Sequence, residues 1–382
     1  MKISLIFVVL LILVFPLLAG ASSTMFGLVF PQSGHSTQEE PVEAHQKPVP
    51  TKEMRQATGN PYDPIVSSSM NIPAIRLVQN TPVPAQPVPS SDTACSMIWK
   101  IPMSGITLPL WLTTPSNTSG LATQYDYADL GGELIRNGEV DASSCHDNGL
   151  LINGSASPCG QAAASEKVYA WQNQFDSLIL DAAVANKVPA KLLKRIFAYE
   201  SQFWPAVSDS GIEYGLGHVT LSGLDPLFQS YPEIYASICS IVFDETTCKI
   251  SYADLPDDQK AMLRGYYLGN YVDPTCPDCL HGINMEKTRS SIDMFAKLLV
   301  ANCKQVNGMI YNQTDRHAGS TTSYEDLWSI TLANYNVGSG CVEAAIQKTY
   351  SLSYATLTWG NISYNLKDTC TQAYYYAESI KK

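Results

Sequence analysis

The chain has 382 residues, of which 45% are hydrophobic and 15% are charged, and its formal net charge is −11. This length suffices for one large domain with appendages or for two domains. The acidic excess argues against nucleic acid or an anionic membrane surface as the main partner, because both require a basic footprint. Neutral or cationic polymers fit this charge better.

The first residues predict export. A single basic residue, Lys2, precedes a largely apolar run from Ile3 to Leu18, and small residues follow at 19–21. This is the pattern of a secretory signal peptide over 1–22. Because the run is slightly longer than a usual signal core, an uncleaved membrane anchor is the alternative. We therefore expect a secreted or cell-envelope protein, in contact with a membrane only through such an anchor.

Two segments of unusual composition follow. Residues 23–92 are rich in proline and serine and lack a sustained apolar period, which predicts a Pro-rich linker. Residues 93–164 form an irregular, cysteine-containing region. Within it, 95–114 has a strand-like pattern, 127–139 predicts a short helix, and 145–160 predicts a loop closed by cysteines.

From residue 165 to residue 382 the apolar periodicity is helical. Helices are predicted over 166–188, 188–203, 290–303, 323–335, 341–350 and 368–380. Ser323 and Asp326 form an S-x-x-D capping arrangement at the start of one of them. We predict an α+β fold that is mainly α, with a small β-hairpin, and stabilised by disulfides.

The ten cysteines are Cys95, Cys145, Cys159, Cys239, Cys248, Cys276, Cys279, Cys303, Cys341 and Cys370. An even number behind an export signal predicts disulfides. The short loops 145–159 and 239–248 favour local bridges, and the remaining connectivity stays open. The alternative to a disulfide for the CPDC segment at 276–279 is a zinc site, of which this segment and Cys303 would be half. No second ligand pair accompanies it. No metal and no other cofactor is expected.

The segment 198–220 combines a carboxylate with a glycine-rich turn. On the helix predicted over 188–203, Leu192, Ile196 and Glu200 are spaced four apart, so Glu200 continues the apolar stripe. Desolvation and the nearby helix C-terminus both favour the neutral carboxyl. Such a group is suited to act as a general acid. The alternative is a core glutamate satisfied by a hydrogen bond or by an arginine.

Two further features point to the same region. Three glycines between positions 211 and 217 accompany Glu213, and they suit a tight turn where backbone approaches a ligand. The helix predicted over 323–335 ends in Tyr335-Asn336. Tyr335 lies on the apolar stripe and needs a partner for its hydroxyl, for which a buried carboxyl is suitable.

Three short motifs carry a family resemblance. They are Glu200-Ser201-x-Phe203-x-Pro205, Gly215-Leu216-x-His218 and Ala333-Asn334-Tyr335-Asn336-x-Gly338. In this order they resemble the soluble lytic transglycosylase family of the lysozyme superfamily, whose motifs read ES-x-F-x-P, G-L-M-Q and A-x-YN-x-G. The resemblance covers roughly residues 165–382. It implies a lysozyme-like catalytic domain that acts on the glycan strands of peptidoglycan.

The resemblance also implies a mechanism and a set of site residues. Glu200 would be the single acid/base that breaks the β-1,4 bond between N-acetylmuramic acid and N-acetylglucosamine. The acetamido group and the 6-hydroxyl of the muramic acid would complete the reaction and leave a 1,6-anhydro end. Tyr335 would orient Glu200. The substrate-binding residues implied are Ser201, Gly215, Leu216, His218, Tyr335 and Asn336.

The motifs depart from the family pattern in ways that keep alternatives open. His218 stands where the family has glutamine, and Gly217 stands where it has methionine. Glu213 is a second catalytic candidate, because goose-type lysozymes of the same superfamily also carry acidic residues after the catalytic glutamate. Facing the cleft, Glu213 would activate water, and the enzyme would be an inverting muramidase. The third hypothesis is a non-catalytic glycan-binding or secretion-associated wall protein.

Overall fold

The computed structural model describes residues 95–96, 107–207, 211–352 and 356–382. The signal peptide or anchor predicted over 1–22 and the linker predicted over 23–92 therefore lie outside the described residues. Among the residues that are described, no helix is both long enough and apolar enough to cross a membrane.

The described chain is mainly helical, as the apolar periodicity predicts. Its α-helices are α1 (Ala128–Arg136), α2 (Pro158–Asn173), α3 (Asp176–Asn186), α4 (Ala190–Ser201), α5 (Asp225–Ser230), α6 (Pro232–Val242), α7 (Glu245–Cys248), α8 (Asp257–Tyr267), α9 (Met285–Thr314), α10 (Tyr324–Val337), α11 (Ser339–Ser351), α12 (Trp359–Tyr364) and α13 (Gln372–Lys381). A π-helical turn, Leu268–Val272, extends α8. The helix α1 confirms the short helix expected within the irregular region.

The β structure of the described residues consists of isolated antiparallel bridges. Two of them, between Val207 and Tyr214 and between Tyr214 and Val219, lie where the small hairpin is predicted. The expected hairpin is thus reduced, among these residues, to a tight turn closed by a single pair of backbone hydrogen bonds.

The prediction of a single helix over 166–188 is wrong in one respect, because the helix is interrupted between α2 and α3. At the break, Phe175 is fully buried and Asp176 is nearly so. The Asp176 carboxylate lies 2.6 Å from the ammonium group of Lys194 on α4. The change of direction lets two adjacent side chains point into the core, which apolar periodicity cannot reveal.

The strand-like pattern over 95–114 is also wrong at its described end, where Leu110–Leu112 form a 3-10 helix. Trp111 is buried there, and the segment packs against α4. The following residues then satisfy the first N–H groups of α4: the Thr114 hydroxyl accepts from the first at 3.0 Å, and the Thr113 carbonyl accepts from the second at 3.2 Å. This region therefore supports the helix that carries Glu200.

The boundary expected between residues 164 and 165 falls inside α2. Leu130 and Leu134 of α1 are buried in the same hydrophobic cluster as Leu193 of α4. A continuous helix and a shared core join the irregular region to the helices that follow.

The 30-residue helix α9 is the central element. Its start is capped by Asn284, whose side chain accepts a hydrogen bond from the Lys287 N–H at 2.9 Å. Its buried residues include Ile292, Phe295 and Leu299, and it packs against α3, α5, α10 and α11. The C-terminal helix α13 packs against α4 and α10.

All ten cysteines are in pairs at disulfide distance: Cys95–Cys303, Cys145–Cys159, Cys239–Cys248, Cys276–Cys279 and Cys341–Cys370. Both local bridges predicted from short spacing are confirmed. The zinc alternative is wrong for its three proposed thiols, because each sulfur is bonded to another cysteine and is not a free ligand.

Candidate active site

Glu200 lies in the last turn of α4, at the edge of the apolar stripe. Leu192 and Ile196, one and two turns earlier, are fully buried, whereas the Glu200 side chain is 15% exposed. The Tyr376 hydroxyl donates a hydrogen bond to Glu200 Oε1 at 2.6 Å. On the other oxygen, the Nδ1 atom of His218 lies 3.6 Å from Oε2. The carboxyl thus has a hydrogen-bond partner on one oxygen and an imidazole near the other.

The backbone after α4 is bent sharply, which ends the helix directly beyond Glu200. Gln202 and Phe203 both have positive φ, at 47° and 64°. Such conformations disfavour non-glycine residues and persist when surrounding contacts impose them. Here the Gln202 side-chain oxygen accepts from the Asp129 N–H at 3.0 Å, and the Trp171 indole N–H donates to the Phe203 carbonyl at 2.9 Å. These contacts lock the position of the helix end.

The turn Tyr214–Val219 is held against this helix end. The backbone N–H groups of Tyr214 and Val219 donate to each other's carbonyls, at 3.0 and 2.9 Å. The Ser201 hydroxyl is 2.8 Å from the Leu216 carbonyl, to which it donates. Gly215, at the start of the turn, has φ +71°. Of the residues expected to bind substrate, Ser201, Gly215 and Leu216 are therefore brought together, with Gly215 and Leu216 buried.

Close packing explains why position 217 is a glycine. A Cβ atom at this position would lie 2.0 Å from a ring carbon of Phe295 on α9. No side chain fits without moving that ring, so the methionine of the family motif has no room in this arrangement. The close approach fixes the turn against α9. The next residue, His218, has φ +55°.

Contrary to the expectation, the hydrogen-bond partner of Tyr335 is not Glu200. Its hydroxyl donates to the backbone carbonyl of Gly217 at 2.6 Å, and the tyrosine that hydrogen-bonds Glu200 is Tyr376. Tyr335 therefore anchors the turn. Asn336 follows at the end of α10, and its buried Oδ1 atom has no hydrogen-bond partner among the described residues. Such a carbonyl is an acceptor left for water or for a ligand.

Tyr376 was not singled out by the motif pattern, because it lies 176 residues after Glu200 on α13. Burial, followed by the charge of Glu200, raises the pKa of Tyr376 well above its ordinary value. Its hydroxyl therefore stays protonated and remains a donor at neutral pH. Its burial could have been predicted, since Ala373, Tyr376, Ala377 and Ile380 follow helical spacing.

Glu213 lies in the loop just before the turn and is half-buried. Burial, and then the negative charges of Glu200 and Glu213, raise the pKa of Tyr335 well above its ordinary value. The described residues contain no group of three histidine, cysteine or acidic side chains arranged to hold a metal ion.

Comparison of the chain with protein-family models, with curated proteins and with solved structures found no match. The resemblance to the lytic transglycosylases therefore depends on the three motifs. The contacts around Glu200 are observed in the structure and do not depend on that resemblance.

Proposed function

We propose that this chain is a lytic transglycosylase that cleaves the β-1,4 bond between N-acetylmuramic acid and N-acetylglucosamine in peptidoglycan. The observation that carries the proposal is the partly exposed carboxyl of Glu200, bound on one oxygen by the Tyr376 hydroxyl. An acid at the rim of a packed core is both accessible to substrate and partly desolvated, as a general acid requires.

In the proposed reaction, the Glu200 carboxyl gives its proton to the glycosidic oxygen while the bond from that oxygen to C1 of the muramic acid breaks. The acetamido carbonyl of the muramic acid stabilises the positive charge that develops at C1. The 6-hydroxyl oxygen then bonds to C1, and its proton returns to the Glu200 carboxylate. The reaction consumes no water, and the product carries a 1,6-anhydro end.

The two oxygens of Glu200 have different neighbours and, in the proposed reaction, different roles. Because Tyr376 donates to Oε1, that oxygen serves as an acceptor and Oε2 is left to carry the reacting proton. Ser201 and Tyr335 hold the turn through the Leu216 and Gly217 carbonyls, so that the turn forms one wall of the proposed sugar cleft.

A second candidate function is an inverting muramidase, in which Glu213 activates a water molecule. The observation that favours it is the place of Glu213, half-buried in the loop directly before the turn that is held against the end of α4. An inverting glycosidase uses two carboxyl groups, one as acid and one as base, and in this hypothesis Glu200 and Glu213 supply them.

The test is mass spectrometry of muropeptides released from purified peptidoglycan by the wild-type protein and by Glu213→Gln. Anhydro ends from both proteins would support the transglycosylase. Reducing ends that vanish in Glu213→Gln would support the muramidase. If the wild-type protein binds peptidoglycan but releases nothing, both enzymatic hypotheses are wrong, and the non-catalytic binding hypothesis replaces them.

The hydrogen bond from Tyr376 yields a further prediction. Tyr376→Phe keeps the ring and its edge contact with Tyr199 but removes the donor to Glu200. A hydrogen bond to a charged group contributes about 1.5–3 kcal/mol, so we expect kcat to fall about 10- to 100-fold with little change in KM. The matched control is Tyr375→Phe, since Tyr375 is 61% exposed. Equal activity of the two variants would contradict this role for Tyr376.

A further inference from the structure

The π-helical turn Leu268–Val272 lies directly beside the glycine turn of the candidate active site. A Cβ atom on Gly215 would lie 3.3 Å from the Val272 carbonyl oxygen. Val272 is 1% exposed, and it lines a small internal cavity together with Gly215 and Leu216. The turn that is proposed as one wall of the sugar cleft is therefore bordered by the end of the α8 segment.

Hydrogen bonds hold this π-helical turn in place. The Asp273 N–H donates to the Leu268 carbonyl at 2.8 Å, which closes the turn. From α9, the Lys287 ammonium donates to the Gly269 carbonyl at 2.9 Å. Helical turns of this type are rare and occur frequently at functional sites. The segment that borders the candidate site is thus fixed both by its own backbone and by α9.

Tyr271, within this π-helical turn, presents an oriented aromatic ring to solvent. Its ring stacks on that of Tyr267, one helical turn earlier, with the ring centroids 4.9 Å apart and the planes at 30°. Tyr267 is 6% exposed and packs edge-on against Phe228, whereas Tyr271 is 41% exposed. Because Tyr267 covers one face of the Tyr271 ring, the exposed area of this ring lies on its opposite face and its edges.

Single exposed aromatic side chains are common on protein surfaces and need no function. Tyr271 differs in that stacking fixes its ring and in that it directly precedes Val272, the residue packed against the glycine turn. A ring that is already fixed loses little conformational freedom when a ligand covers it. Its apolar face suits the C–H face of a β-1,4-linked sugar, while its hydroxyl can stay in water. The net charge of −11 disfavours an anionic polymer as the ligand.

We infer that Tyr271 is a substrate-binding residue on which a sugar ring of the glycan strand stacks, at a subsite beyond the glycine turn and away from the bond that Glu200 cleaves. The inference rests on the proposed function, which makes the ligand a β-1,4-linked aminosugar polymer. Stacking at a remote subsite stabilises the bound substrate and the transition state equally, so it lowers KM without raising kcat. Only strands long enough to reach this subsite gain from it.

The first test is the kinetics of muropeptide release from glycan strands sorted by length. Tyr271→Leu still covers Tyr267 but lacks a flat face, so KM for long strands should rise about 5- to 20-fold with kcat changed little. On the shortest strands that the wild-type protein cleaves, KM should be equal for the two proteins. Tyr271→Phe keeps the ring and should match the wild-type protein. The control is Tyr350→Leu, since Tyr350 on α11 is similarly exposed, at 44%.

A KM for long strands that Tyr271→Leu leaves unchanged would overturn the subsite and leave the proposed function standing. Binding is therefore also measured apart from cleavage, by calorimetry in the Glu200→Gln background with the hexasaccharide of β-1,4-linked N-acetylglucosamine. Equal affinity with and without Tyr271→Leu, or no binding by the parent, would overturn the subsite. Weaker binding by Tyr271→Leu, when the wild-type protein releases nothing from peptidoglycan, would support the subsite and refute the proposed cleavage.

Discussion

Glu200→Gln should lower the rate of anhydro-muropeptide release by about 10³-fold, because glutamine retains the shape of the side chain but cannot transfer a proton. The Tyr376 hydroxyl can still donate to the amide oxygen at the position of Oε1, so the local packing should persist. The loss should therefore appear in kcat, with KM for peptidoglycan changed little.

The control for this substitution is Glu343→Gln, since Glu343 is exposed on α11. Both variants should unfold at the same temperature as the wild-type protein, which separates a chemical effect from a structural one. If Glu200→Gln released anhydro products at the wild-type rate, Glu200 would not be the acid, and the proposed mechanism would be wrong.

The second large effect concerns stability. Lys194 and Asp176 form an ion pair at 2.6 Å whose side chains are only 5% and 7% exposed, and the same ammonium donates to the Asn173 side chain at 2.7 Å. Burial lowers the pKa of Lys194 and raises that of Asp176. Lys194→Met removes one charge and leaves a buried carboxylate without its partner. We expect this to lower the free energy of unfolding by about 3–5 kcal/mol.

Urea unfolding followed by tryptophan fluorescence measures this loss. The double variant Asp176→Asn/Lys194→Met removes both charges, so it should recover a large part of the stability. Lys249→Met is the matched control, because its ion pair with Glu245 is 72% and 86% exposed and should contribute little. A Lys194→Met variant as stable as the wild-type protein would show that the buried pair does not stabilise the junction of α2, α3 and α4.

The sequence predicted features that depend on neighbours along the chain. The capping arrangement at Ser323 is confirmed, since its side chain accepts from the Asp326 N–H at 3.0 Å. The bridge between Cys145 and Cys159 is also confirmed. In each case the interacting groups are close in sequence, so their spacing alone constrains which partner each can reach.

The three motifs also predicted a site that contains Glu200 and the glycine turn, and the structure brings these segments together. The hydroxyl of Ser201, the residue after Glu200, donates to the Leu216 carbonyl. Helical spacing could place Glu200 on the apolar stripe, but it could not tell how far along the stripe the core extends. The 15% exposure of that side chain depends on the elements packed around α4.

The sequence by itself therefore determined the helical character of the chain, the local caps, two of the disulfides and the residues on which a catalytic site is proposed. Only the tertiary structure decided which side chains surround Glu200. Tyr376 reaches it from a helix 176 residues away, and His218 faces it from the turn whose Gly217 packs against Phe295. Such contacts arise from the packing of distant elements, for which local periodicity and spacing carry no signal.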